Sequence, residues 1–135
     1  MRPHSSFKIL TELLEQRILV LDGAMGTMIQ DKKLSESDFR GERFKNHESD
    51  LSGNNDLLTL TQPHIISKIY LSYLNAGCDI VETNTFNSTG SSQSDYGLSE
   101  ITYELNLEAA KLARSACDEI YNNDPQRPRF VAGVL

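Results

Sequence analysis

Three short apolar runs, separated by two amphipathic helical segments, constrain this chain more than any other feature. Ile18 to Leu21 is too short for a helix and is bounded by turn residues, so it reads as a buried strand. "DIVETNTF", Asp79 to Phe86, reads as a second strand that turns polar toward its C-terminal end, and "RFVAGVL", Arg129 to Leu135, as a third. Between the first two, Ile65, Ile66, Ile69, Tyr70, Tyr73 and Leu74 share one helical face, with Thr61 as a candidate cap, Pro63 in the first turn and Gly77 as the stop. Between the second and third, Ile101, Leu105, Ala109, Leu112, Ala113, Ala116 and Ile120 define a long helix from about Ser99 to Asn122. Strands alternating with helices favour parallel strands joined by helical crossovers, an α/β fold.

The remaining segments are less regular. Phe7, Ile9, Leu10, Leu13 and Leu14 recur at helical spacing behind Ser5 and Ser6, either of which can cap a short opening helix. Asp31 to Asn55 is a long polar loop with Phe39 and Phe44 as isolated anchors; the anchors favour an ordered, functional loop over a disordered one. Asn87 to Gly97 is a Ser/Gly-rich loop. With 135 residues, one domain is the ceiling. Three parallel strands with two crossover helices leave sheet edges unpaired, so the chain reads as the front portion of something larger.

Charge and composition exclude several classes of partner. A net charge of −6, from 13 basic and 19 acidic residues, offers no footprint for a nucleic-acid backbone. No apolar stretch approaches the roughly 18 residues of a membrane span or forms a secretory signal core, which points to the cytoplasm. The two cysteines, Cys78 and Cys117, form no metal-ligand spacing and read as buried structural thiols. Cys78 lies roughly 13 Å along its strand from Glu82 at about 3.3 Å per residue, too far to share a site with it. His4, His47 and His64 have no nucleophile or carboxylate at a suggestive interval, and none is assigned as a base.

Ligands of parallel α/β proteins sit beyond the C-terminal ends of the strands. Those ends are Asp22-Gly23-Ala24-Met25-Gly26-Thr27 and Glu82-Thr83-Asn84-Thr85. The glycine turn exposes backbone N–H groups to an anion, but Asp22 opposes a phosphate and the third glycine of a nucleotide loop is missing. A ligand carrying an ammonium and a carboxylate together reconciles the two: Asp22 takes the ammonium and the turn amides take the carboxylate. The residues alone leave open that Asp22 merely caps the turn while the glycines permit positive φ. Glu82 and Asn84 share strand parity and are expected to point the same way, opposite to Thr83 and Thr85. Pairing of Glu82 with a basic residue of a neighbouring strand is the competing reading.

"RILVLDGAMGTMIQ", "DFRGERF", "GNNDLLTLTQP", "AGCDIVETNTFNST" and "NLEAAKLAR" together closely resemble the N-terminal homocysteine-binding region of cobalamin-dependent methionine synthases, a branch of the homocysteine S-methyltransferase family. The likeness runs from about Ile9 to Leu135. It implies a (β/α)8 TIM-type barrel of which residues 1–135 supply the first three β/α units, a partial homocysteine-binding domain without the remaining barrel or the cobalamin and folate domains. It further implies a methyltransferase passing a methyl group from methylcobalamin, regenerated from 5-methyltetrahydrofolate, to the zinc-bound thiolate of homocysteine. The implied partners are homocysteine and the methylcobalamin domain. The family's zinc-binding cysteine motifs do not occur in this sequence, so no metal ligand is expected and the isolated chain is expected to be inactive. Asp22, Gly23, Ala24 and Met25 match the turn that contacts the homocysteine amino and carboxylate groups, and Glu82 and Asn84 match barrel-facing positions near the site. A homocysteine methyltransferase with another methyl donor, and a free-standing amino-acid-binding module, remain as alternatives.

Overall fold

A computed structural model describes residues 3–134, with side chains from Ser6 onward; the side chains of His4 and Ser5, and Leu135 at the end of the expected third strand, lie outside the described residues. The fold is mixed α/β with helices dominant and a small parallel sheet. Helix α1 spans Pro3–Leu14, so Ser5 and Ser6 lie inside it and do not cap it. Short helices α2, Met25–Gln30, and α3, Glu36–Arg40, follow. A 3-10 turn at Asn55–Leu57 leads into α4, Leu58–Thr61, and then α5, Pro63–Ala76. Strand β1 is Ile80–Glu82, α6 is Gly90–Ser94, and a 3-10 turn at Ser99–Ile101 opens α7, Thr102–Asn123, before strand β2, Phe130–Ala132.

The two strands pair in parallel with Ile80 opposite Phe130, Val81 opposite Val131 and Glu82 opposite Ala132. The expected first strand is corrected. Ile18 to Leu21 contributes one isolated parallel bridge, Leu21 to Ile80, and it is not buried: Ile18 is 86% and Val20 54% exposed. Its hydrogen bonds explain the outcome. Val20 O accepts from Asp79 N–H (2.8 Å) and Ile80 N–H (3.2 Å), and Asp22 N–H donates to Ile80 O (2.9 Å), so one edge is satisfied. Nothing among the described residues covers the other side, and a lone edge segment cannot bury its own side chains.

β1 also stops short of Phe86. Thr83 N–H still reaches Ala132 O (2.9 Å), but Thr85 N–H turns back onto Thr83 O (2.9 Å) and the chain curls out of the ladder. The core lies between α5, α7 and β1, where Leu57, Leu58, Ile66, Ile69, Tyr70, Val81, Ala113 and Cys117 are essentially inaccessible. The helical stripes read from sequence supply most of it. Gly77 ends α5 in the left-handed conformation (φ +110°), as its position after the stripe suggests. Thr61, expected as the cap of α5, instead ends α4, because the 3-10 turn and α4 run to Thr61 and leave Gln62 before Pro63.

The two expected loops carry helices of their own. In the segment 31–55, Ser35 and Asp38 form a capping box that starts α3. Glu36 then accepts from Leu51 N–H (2.9 Å) and Ser52 N–H (2.6 Å) and pairs with Arg40 (2.7 Å), while Arg40 donates to the His47 and Ser49 carbonyls. Phe39 and Phe44 are buried anchors, as the sequence suggests. In the Ser/Gly-rich segment, Thr89 Oγ1 accepts from Ser92 N–H (3.1 Å) and caps α6.

Candidate functional site

Beneath the site lies an ion pair between an exposed arginine and a buried aspartate. Arg17 donates twice to the Asp79 carboxylate (2.8 and 2.7 Å), and Val20 N–H adds a third bond (2.9 Å). The Arg17 hydrogen bonds hold the Asp79 carboxyl below the usual carboxylate range despite its burial. This pair fixes the 17–20 segment against β1 and so delivers Asp22 to the end of the strands.

There the Asp22 carboxylate faces Glu82 N–H, which donates to both of its oxygens at 3.2 Å. Burial pushes the Asp22 carboxyl up to about 6; the Glu82 N–H opposes the rise and the negative charge of Glu82 adds to it. Among the described residues no arginine pairs with Asp22; Arg17 is committed to Asp79. The carboxylate therefore bridges to β1 and does not cap its own turn. Neither Gly23 nor Gly26 has a left-handed φ, which corrects the reading that their role is positive φ. A side-chain carbon at Gly23 would meet the Tyr73 ring at 3.4 Å, and at Gly26 would meet Asn55 at 3.9 Å, both ordinary contacts. The fold itself makes no strict demand for glycine at either position.

All six expected site residues, Asp22, Gly23, Ala24, Met25, Glu82 and Asn84, line one cavity of about 480 Å³, together with Thr83, Thr85, Phe86 and Val134. Glu82 and Asn84, expected to point the same way, both line this cavity but differ in burial. Glu82 is exposed and, among the described residues, has no cationic partner, while Asn84 is buried and its side chain is spent on Asn55 O (2.9 Å). Strand alternation cannot extend to Asn84 because β1 ends at Glu82. Thr83 and Thr85 bond each other (2.7 Å) and receive or donate at Val134 (3.1 and 3.2 Å), which ties this wall to the end of β2.

Three contributors lie outside the sequence reading. Tyr70 sits on the apolar stripe of α5, yet its hydroxyl accepts from Asn84 N–H (2.9 Å). Asp56 accepts from Asn87 N–H (2.7 Å) and Ser88 Oγ (2.7 Å) and fixes the turn that carries Phe86. Phe86 is 80% exposed and lines the rim of the cavity. The only sequence signal was an acid directly before an apolar run in "GNNDLL".

Two other hollows, of about 480 and 450 Å³, lie on helix surfaces away from the strand ends. Their arginines are already paired, Arg43 with Glu104 (2.6 Å) and Arg40 with Glu36 (2.7 Å). Cys78 and Cys117 are buried, and burial pushes both thiols up to about 11. His47 binds Tyr96 O through Nε2 (2.7 Å) and packs edge-on against Phe44. Among the described residues no three His, Cys, Asp or Glu side chains are arranged to hold a metal ion, and no helix is long and apolar enough to cross a membrane.

Parallel strands joined through a helix, with a cavity beyond their C-terminal ends, place the molecule among crossover-type α/β proteins. Residues 19–135 match the family model described as homocysteine S-methyltransferase. Two crystal structures of the homocysteine methyltransferase MmuM from Escherichia coli are similar: the metallated form at 25% identity with a TM-score of 0.69, and the oxidized form at 26% with 0.71. Each comparison covers 92% of this chain but only 40% and 39% of the respective MmuM chains. The chain belongs to the homocysteine S-methyltransferase family.

Proposed function

We propose that the cavity at the strand ends holds the α-amino-acid end of homocysteine, and that the chain forms the leading β/α portion of a barrel methyltransferase of the methionine synthase type. The observation that carries the reading is the pairing of a half-buried Asp22, with no arginine partner among the described residues, with a glycine turn on one cavity wall. Ionised Asp22 takes the ammonium, with exposed Glu82 adding negative charge at the rim. The amides of Gly23 to Met25, which need no glycine for backbone reasons, take the carboxylate.

The motifs "FRGERF" and "GNNDLL" support the cobalamin-dependent branch; another methyl donor is the alternative within the family. Zinc, which activates the thiol in the proposed reaction, does not fit the described residues: the two thiols are buried and held neutral, and no ligand cluster surrounds them. The work left to this chain is to bind and orient the amino acid, and to keep Asp22 charged above about pH 6.

Isothermal titration of the chain with L-homocysteine tests the reading. Millimolar binding, about −4 kcal/mol, that weakens about 10-fold or more in Asp22→Asn is the expected result, because the chain supplies one part of the pocket. Zinc-independent micromolar binding would favour a free-standing amino-acid module, and no binding would remove the substrate assignment.

A further inference from the structure

At the opposite end of the strands from Asp22 lies a smaller cavity of about 240 Å³, lined by Ser6, Arg114, Asp118, Tyr121 and Arg129. Arg129 directly precedes β2, whereas Asp22, Glu82 and Val134 follow the strand ends. The two cavities are therefore separate. Arg129 is 5% exposed, and its Nε has no hydrogen-bond partner among the described residues. Its Nη1 donates to Arg127 O (2.8 Å), a neutral acceptor. A buried guanidinium without full pairing is among the costlier arrangements a fold can hold.

The nearby acids are already engaged. Asp79, whose carboxyl is held down in part by the Arg129 charge, has its oxygens taken by Arg17 and Val20 N–H. Asp118 pairs with Arg114 Nε (2.9 Å), and Arg114 Nη1 turns to Arg129 O (3.2 Å). Among the described residues lining the cavity, two guanidiniums, Arg114 and Arg129, stand against one carboxylate, Asp118. This local positive excess occurs in a chain whose net charge is −6. A water molecule satisfies an N–H but leaves that excess in place; an anion satisfies both.

We propose that this cavity is a binding site for a small oxyanion of the phosphate type, held between Arg129 and Arg114 with the hydroxyls of Ser6 and Tyr121 on its walls. Guanidinium groups suit such a ligand because their planar donors match its oxygens. The volume equals about eight water molecules at about 30 Å³ each, room for one ion with part of its hydration. Because Ser6 belongs to α1 and the other lining side chains to α7 and the start of β2, the ion would tie α1 to the rest of the chain.

Urea unfolding of the whole chain in rising inorganic phosphate, with ionic strength held constant by chloride, tests the site. A saturable rise in midpoint is expected, with amide shifts in an NMR titration at Arg114, Tyr121 and Arg129 and none at Asp22. Arg129→Gln is expected to abolish the effect, and since this buried residue affects folding, Arg114→Gln and Tyr121→Phe provide surface variants expected to weaken phosphate about 10-fold. Asp22→Asn should leave it intact, which separates this site from the amino-acid cavity. A midpoint that chloride raises equally, or phosphate shifts unchanged in Arg114→Gln, would overturn the proposal.

Discussion

Replacing Asp22 by Asn should make the free protein more stable at alkaline pH while weakening its hold on the amino acid. The Asp22 carboxyl titrates at about 6 in the folded chain against an ordinary 3.8, chiefly because burial disfavours its charge. A difference of roughly two pH units corresponds to about 3 kcal/mol of penalty on the ionised form above pH 6. Water screening of a half-buried group reduces this to about 1–2 kcal/mol. The sign follows from linkage: a folded-state value above the unfolded one means that the native chain binds the proton more tightly. Wild-type stability from this group therefore rises as pH falls from about 6 toward 3.8, and the advantage of Asp22→Asn shrinks over that window. Asn retains an oxygen for Glu82 N–H, so the backbone contact survives. Urea unfolding at pH 8 and pH 4, with unchanged m-values, measures both limbs. A variant less stable than wild type at pH 8, or a difference independent of pH, would refute the desolvation argument.

Gly41→Ala should destabilise by about 2 kcal/mol in the same assay, since φ is +53° and an added carbon would meet Thr61 Cβ at 3.2 Å. Tyr70→Phe should cost about 1–3 kcal/mol by leaving Asn84 N–H buried without its acceptor, and faster hydrogen exchange of that amide reports it directly. Asp79→Asn should flatten the acid limb of the stability curve. The folded Asp79 carboxyl lies below its unfolded value, so its contribution is present above the unfolded titration point and disappears as pH falls through the folded one. An acid limb as steep as wild type would show that the Arg17 pair is not its source.

What the sequence revealed, and what it hid, divides along local against non-local causes. The stripes of α5 and α7 were legible because a 3.6-residue period is written into neighbouring residues, and Gly77 marks its stop in the same local code. The strand expected at Ile18–Leu21 was not, since an apolar run says nothing about whether a second neighbour exists to bury it; the segment forms one isolated bridge, at Leu21. The helix within 31–55 hid behind polar composition because its stabilisation comes from Glu36 reaching Leu51 and Ser52 across the loop. At the site, Asp22 and its glycine turn could be read from their order along the chain. Tyr70 and Asp56 could not, as each looks like an ordinary core or loop residue until the fold brings Asn84 and Asn87 against it. Strand parity stops being informative at Asn84, because β1 ends at Glu82.

The central claim is that Asp22 and the bare amides of its turn recognise the ammonium and carboxylate of one amino acid. A ¹H–¹⁵N NMR titration of the chain with L-homocysteine, repeated with 4-mercaptobutanoate, which keeps the thiol and carboxylate but lacks the α-amino group, addresses it most directly. The account predicts saturable shifts confined to residues 22–26 and 82–86 with homocysteine and a response at least 10-fold weaker with the desamino compound. Equal binding of the two compounds, or homocysteine shifts centred elsewhere on the chain, would contradict it.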